Sequence, residues 1–100
     1  MKQFVIHAHD SSDAEALDRR MKARPTHLEG VERLKASGNY VLGGAMLDAD
    51  GKMIGSTMVV RFETDADFQQ YLAQEPYILD DVWREVKVYP FRIASFVAPS

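Results

Sequence analysis

Tyr40-Val41-Leu42-Gly43-Gly44-Ala45-Met46-Leu47-Asp48-Ala49-Asp50-Gly51-Lys52-Met53-Ile54-Gly55-Ser56-Thr57-Met58-Val59-Val60-Arg61-Phe62 reads as two strands joined by a polar hairpin. Tyr40 to Leu47 and Gly55 to Phe62 are apolar runs of strand length, the second rich in Val and Met. Asp48 to Lys52 supplies the turn chemistry between them. Outward in both directions the period changes from strand to helix. On the N-terminal side, Ala14 opens a helical pattern with Leu17 and Met21 four apart. Pro25 interrupts it, since proline suits a helix's first turn and not its interior. The expectation is a short helix to about Lys22, a kink or restart, and a helix from Pro25 to Ser37 with Leu28, Val31 and Leu34 on its apolar face. Gly38-Asn39 ends it. On the C-terminal side, Thr64-Asp65-Ala66-Asp67 resembles a capping box, and Phe68, Tyr71 and Leu72 mark a helix that Glu75-Pro76-Tyr77 closes. Strands bound the whole. Phe4, Ile6 and Ala8 alternate with Val5, His7 and His9, and a last strand region runs from Trp83 to Val97. Its inward positions change parity at Pro90, which predicts a bulge or an edge position there.

The order is β-α-β-β-α-β, a ferredoxin-like α+β fold with one four-stranded antiparallel sheet. Two helices cover only one face of it. The face carrying Val5, His7 and His9 is left open, so a homodimer is expected.

The chain has 100 residues, 46% hydrophobic and 27% charged, which suits one domain over 1–100 with one core. Net charge is −3, and acidic residues surround the cluster Arg19, Arg20, Lys22 and Arg24, so nucleic-acid binding has little electrostatic support and no nucleic-acid partner is expected. Absence of cysteine excludes disulfides, thiol catalysis and thiolate metal sites. No segment reads as a signal peptide or membrane span, which makes a cytoplasmic protein the expectation.

His27 is the sharpest candidate for chemistry. At about 100° per residue it falls between Val31 and Leu34 on the helical wheel, on the face that meets the sheet. In the first turn of a helix starting at Pro25, the dipole would disfavour an imidazolium. A neutral imidazole held by a carboxylate can serve as a general base at pH 7. The partner would be Asp10, after the first strand, or Glu75, after the second helix. The plainer alternatives are a structural histidine, an Asp10 that caps the next helix and a solvated Glu75. Arg24 could hold an anionic substrate group or make a surface ion pair. Ser56 and Tyr77 are candidate substrate-binding donors, or groups held in local hydrogen bonds and packing. No Gly-x-Ser-x-Gly elbow surrounds Ser56, so it is not read as a nucleophile. His7 and His9 share a strand face at a spacing that can chelate metal, given further ligands such as Asp10 or His27. Half-exposed strand histidines are the alternative, and no metal or cofactor is expected.

Asp18-Arg19-Arg20-Met21-Lys22-Ala23-Arg24-Pro25-Thr26-His27-Leu28 resembles the YciI (YCII-related) family, in which an arginine-rich helix leads into Arg-Pro-x-His-Leu. Val5 to Asp10, Gly43-Gly44-Ala45-Met46, Gly55-Ser56-Thr57, Glu75-Pro76-Tyr77 and Val86 to Phe91 resemble further family pieces in the expected order. The resemblance implies a dimeric α/β barrel type of fold akin to muconolactone isomerase and an active site with a histidine–carboxylate pair. One branch of the family removes chloride from a chlorinated hydroxyhydroquinone. Glu75 stands where aspartate is usual, and His7 where an aromatic residue is usual. The expected function is a cofactor-free lyase, isomerase or dehalogenase-like enzyme acting on a small anionic or phenolic molecule. The alternative is a non-catalytic small-ligand-binding or accessory domain of the same fold.

Overall fold

In the computed structural model, which describes residues 1–94, alternation sets the sheet. Phe4, Ile6 and Ala8 of β1 (Lys2–Asp10) are buried, while Val5 and His7 between them are half-buried and His9 is exposed. β2 (Tyr40–Leu47) and β3 (Met53–Phe62) form the hairpin, and Asp48 Oδ1 accepts from the N–H groups of Asp50 and Lys52, both at 2.9 Å, to close the loop. β4 (Trp83–Phe91) completes one four-stranded antiparallel sheet of order β2-β3-β1-β4. The fold is α+β, and its order is the ferredoxin-like one with an added short helix. No helix among the described residues is long and apolar enough to cross a membrane.

α1 (Ala16–Ala36) is one continuous helix with Pro25 inside it. The expected break at Lys22 does not occur, because Pro25 lies on the exposed side while Ala16, Arg20, Ala23, His27, Val31 and Leu34 form one buried stripe through the whole length. Burial of that stripe outweighs the local penalty of the proline. Two corrections follow. Leu28, at 41% exposure, and Met21, at 47%, lie outside the buried stripe. His27 sits in mid-helix, so the first-turn dipole argument does not apply to it. Nor does Asp10 cap the helix: Glu15 is the N-cap and no side chain caps it. The C-terminus ends as expected, with Gly38 at φ 77° and the Asn39 N–H bonded to the Leu34 carbonyl at 2.8 Å.

α2 (Asp65–Leu72) is capped by Thr64, whose hydroxyl accepts from the Asp67 N–H at 3.1 Å. Phe68 on α2 stacks on Phe4 at 4.0 Å between centroids, tying this helix to the sheet. Glu75-Pro76-Tyr77 closes α2 and also starts a separate four-residue helix, α3 (Pro76–Leu79). β4 keeps its register through Pro90, which pairs with Phe4 on an edge strand. The irregularity lies at the other end, between His9 and Asp10 opposite Glu85 and Trp83, and Phe91 faces the open side beside Gln3. The strand ends at Phe91, and the expected extension to Val97 lies outside the described residues.

Candidate active site

α1 carries two polar groups on the face it buries. Arg20 and His27 are seven residues apart, two helical turns, and so belong to one stripe. They are 3% and 8% exposed. Glu75, the N-cap of α3, is buried opposite His27. Its Oε1 lies 2.5 Å from His27 Nδ1 and accepts the Tyr77 N–H at 3.2 Å, while Oε2 accepts the Tyr71 hydroxyl at 2.8 Å. The His27 ring also stacks on Tyr77, with centroids 4.0 Å apart and planes 12° from parallel. An ionised carboxylate only accepts, so Nδ1 carries the proton that faces Glu75. In the neutral ring Nε2 is then the bare nitrogen, and it has no hydrogen-bond partner among the described residues.

A second buried cluster adjoins the first. Arg20 Nη1 donates to both oxygens of Asp10, at 3.0 and 3.1 Å, and Nη2 donates to Ser56 Oγ at 2.8 Å. Trp83 Nε1 donates to the same Oγ at 3.3 Å. The guanidinium carbon stands 4.7 Å from the Tyr77 ring centroid. Burial pushes the Asp10 carboxyl above its usual range, and Arg20 pulls it back.

A cavity of about 190 Å³ opens between α1 and the β2–β3 side of the sheet. Arg20, Arg24, His27, Ser56 and Tyr77 give its polar wall, and Leu28, Val31, Met53 and Met58 its apolar one. Gly43, Gly44 and Ala45 keep the β2 wall low. A Cβ on Gly43 would stand 2.8 Å from the Tyr40 hydroxyl and 3.1 Å from Met58 Cγ. Glu75 and Tyr71 do not line this cavity; both face a different cleft of about 150 Å³.

Of the residues singled out in the sequence, the structure brings His27, Arg24, Ser56 and Tyr77 to one cavity and sets Glu75 behind His27. It separates Asp10 from them. Asp10 bonds Arg20, makes no hydrogen bond to His27, and does not line the cavity. Arg24 makes no ion pair among the described residues. His7 and His9 lie on the opposite sheet face, where His7 Nδ1 meets Thr57 Oγ1 at 2.9 Å. Asp10 is held by Arg20 and His27 by Glu75, and no cluster of three metal-ligating side chains occurs among the described residues. Two residues of the site escape sequence reasoning. Arg20 was legible only as a residue seven before His27, and Tyr71 only as one four before Glu75.

The YCII-related domain family matches residues 2–92. Protein YciI of Escherichia coli O6:H1 is 30% identical over 95 residues, spanning 89% of this chain and 95% of that protein. A protein of Emericella nidulans described as derivative of benzaldehyde biosynthesis cluster protein C is 32% identical over 73 residues, 66% of this chain and 74% of its own length. The fold is similar to that of 5-chloro-2-hydroxyhydroquinone dehydrochlorinase from Burkholderia phenoliruptrix, solved with 2,5-dihydroxybenzoquinone, at a TM-score of 0.81 and 23% identity over 92% of this chain and 95% of that one.

Proposed function

This chain belongs to the YCII-related domain family, and from that premise we propose that it is a cofactor-free enzyme acting on a small anionic or phenolic molecule, with His27 as general base and Glu75 as its partner. One observation carries the reading: His27 presents one nitrogen to a buried carboxylate and its ring to a cavity. Arg20 is balanced by Asp10, which leaves Arg24 as the uncompensated charge at the cavity wall, suited to an anionic oxygen. Nε2 takes a proton from the substrate, and the imidazolium is held by Glu75. In a lyase or dehalogenase of the dehydrochlorinase kind, the pair of electrons left by that proton forms the new double bond as chloride departs with its own pair. Ser56 and Tyr77 shape the binding wall, and the family chemistry is housed in one domain.

A thermal-shift screen of hydroxylated and chlorinated aromatics tests the reading. A true ligand raises the melting temperature by mass action, and turnover of that ligand is the expected second result. Binding without turnover across the class would leave a small-ligand-binding domain instead.

The open sheet face suits a homodimer. Leu42, Tyr89 and Phe91 stand there 57%, 52% and 43% exposed beside Val5 and Val59. Sedimentation should give a dimer at micromolar concentration, and Leu42→Glu should shift it toward monomer. A monomeric parent chain would remove this part of the proposal.

A further inference from the structure

Glu75 does not line the cavity; it reaches the cavity wall through His27 Nδ1 and the Tyr77 N–H, and of these His27 is the titratable one. Tyr71 is the group on its other oxygen. Its hydroxyl, four residues before Glu75, has one proton and two acceptors within reach: Glu75 Oε2 at 2.8 Å and Met58 Sδ at 3.7 Å. The charged oxygen is nearer and far the stronger acceptor. Burial, and then Glu75 itself, push the phenol well above its usual value, so it stays a donor at every pH the protein would meet. Its ring is held independently, packed on Phe62 with centroids 5.7 Å apart.

We infer that Tyr71 is a positioning residue that keeps His27 a neutral base: its hydroxyl holds Glu75 by Oε2, turns Oε1 onto Nδ1, and draws off part of the carboxylate's charge. A bare buried carboxylate 2.5 Å from the ring would stabilise the imidazolium and occupy Nε2 with a proton. With the phenol sharing that charge, Glu75 still fixes the tautomer but raises the basicity of the ring less. The inference rests on the histidine–carboxylate reading above for its catalytic meaning, but not for its physical test.

That test is the titration of His27 followed by NMR in the full chain, which needs no substrate. In Tyr71→Phe the ring and its packing remain and only the donor is lost. The His27 midpoint should rise above that of the parent chain. The acidic limb of any activity profile should move up with it. Should Tyr71→Phe fail to fold, 3-fluorotyrosine placed at position 71 makes the phenol a stronger donor and should lower the midpoint. An unmoved midpoint, or shifts of the opposite sign, would overturn the role of Tyr71. If the midpoint moves as expected while no ligand is ever turned over, the enzyme reading fails and the coupling stands.

Discussion

His27→Ala should lower turnover of a substrate, once found, by about 10²–10⁴-fold, the usual worth of a positioned general base. The structure adds that this variant is not free of cost to the fold. It removes a ring stacked on Tyr77 and deprives buried Glu75 of one partner, so about 1–3 kcal/mol of stability should go with it. His27→Asn separates the two effects, because an amide N–H can still serve Oε1 while no base is present. It should lose activity as fully as alanine and lose less stability. Glu75→Gln should cost less activity than His27→Ala. Its carbonyl can replace Oε1 as acceptor for His27 Nδ1 and the Tyr77 N–H, and its amide can face the Tyr71 oxygen. The tautomer is then kept and only the charge is gone. Steady-state kinetics with circular dichroism and urea melts would check all three. Activity within tenfold of the parent in both His27 variants would reject His27 as the base.

How far the sequence carried this reading depends on the range of each signal. The alternation of Phe4, Ile6 and Ala8, the Asp48–Lys52 loop, the Thr64 cap and the Gly38 terminus are local, and the structure repeats them. The face of His27 was legible for the same reason, since a helical wheel needs only neighbours. Pro25 was misread because a local rule was applied without the buried stripe on either side of it. Arg20 stood out in the sequence only as one of a cluster of basic residues, and its burial depends on Asp10 and Ser56, which are 10 and 36 residues away. The choice between Asp10 and Glu75 as partner of His27 was undecidable for a like reason. Nδ1 meets Glu75 across 48 residues of chain, and only the packing of α1 against α3 brings them together. α3 is four residues long, too short to show a period.

The pair Asp10–Arg20 should govern stability and not proton transfer, and its pH dependence is the distinguishing mark. Both side chains are 3% exposed. A buried pair gains little over apolar replacements, but removing one partner strands the other charge, at about 3–5 kcal/mol. In a domain holding about 5–15 kcal/mol in all, either single variant should be near the edge of folding at pH 7. The two variants differ in what can relieve them. Arg20→Met strands a carboxyl that burial already raises above its ordinary range. A raised folded value means the neutral form suits the fold. That contribution is therefore fully present below the unfolded pKa and is lost as pH rises through the folded one. Without Arg20 the folded value climbs further, so the deficit of Arg20→Met relative to the parent should shrink steadily as pH falls from 7 toward 4. Asp10→Ala strands a guanidinium that keeps its proton throughout, so its deficit should not shrink over the same range. Asp10→Leu combined with Arg20→Met leaves no stranded charge and should recover most of the loss at pH 7. Urea unfolding of each variant against the parent at several pH values reads all of this. Equal deficits for Arg20→Met at pH 7 and pH 4, or a loss below about 1 kcal/mol, would show that the pair is not the buried unit its geometry describes.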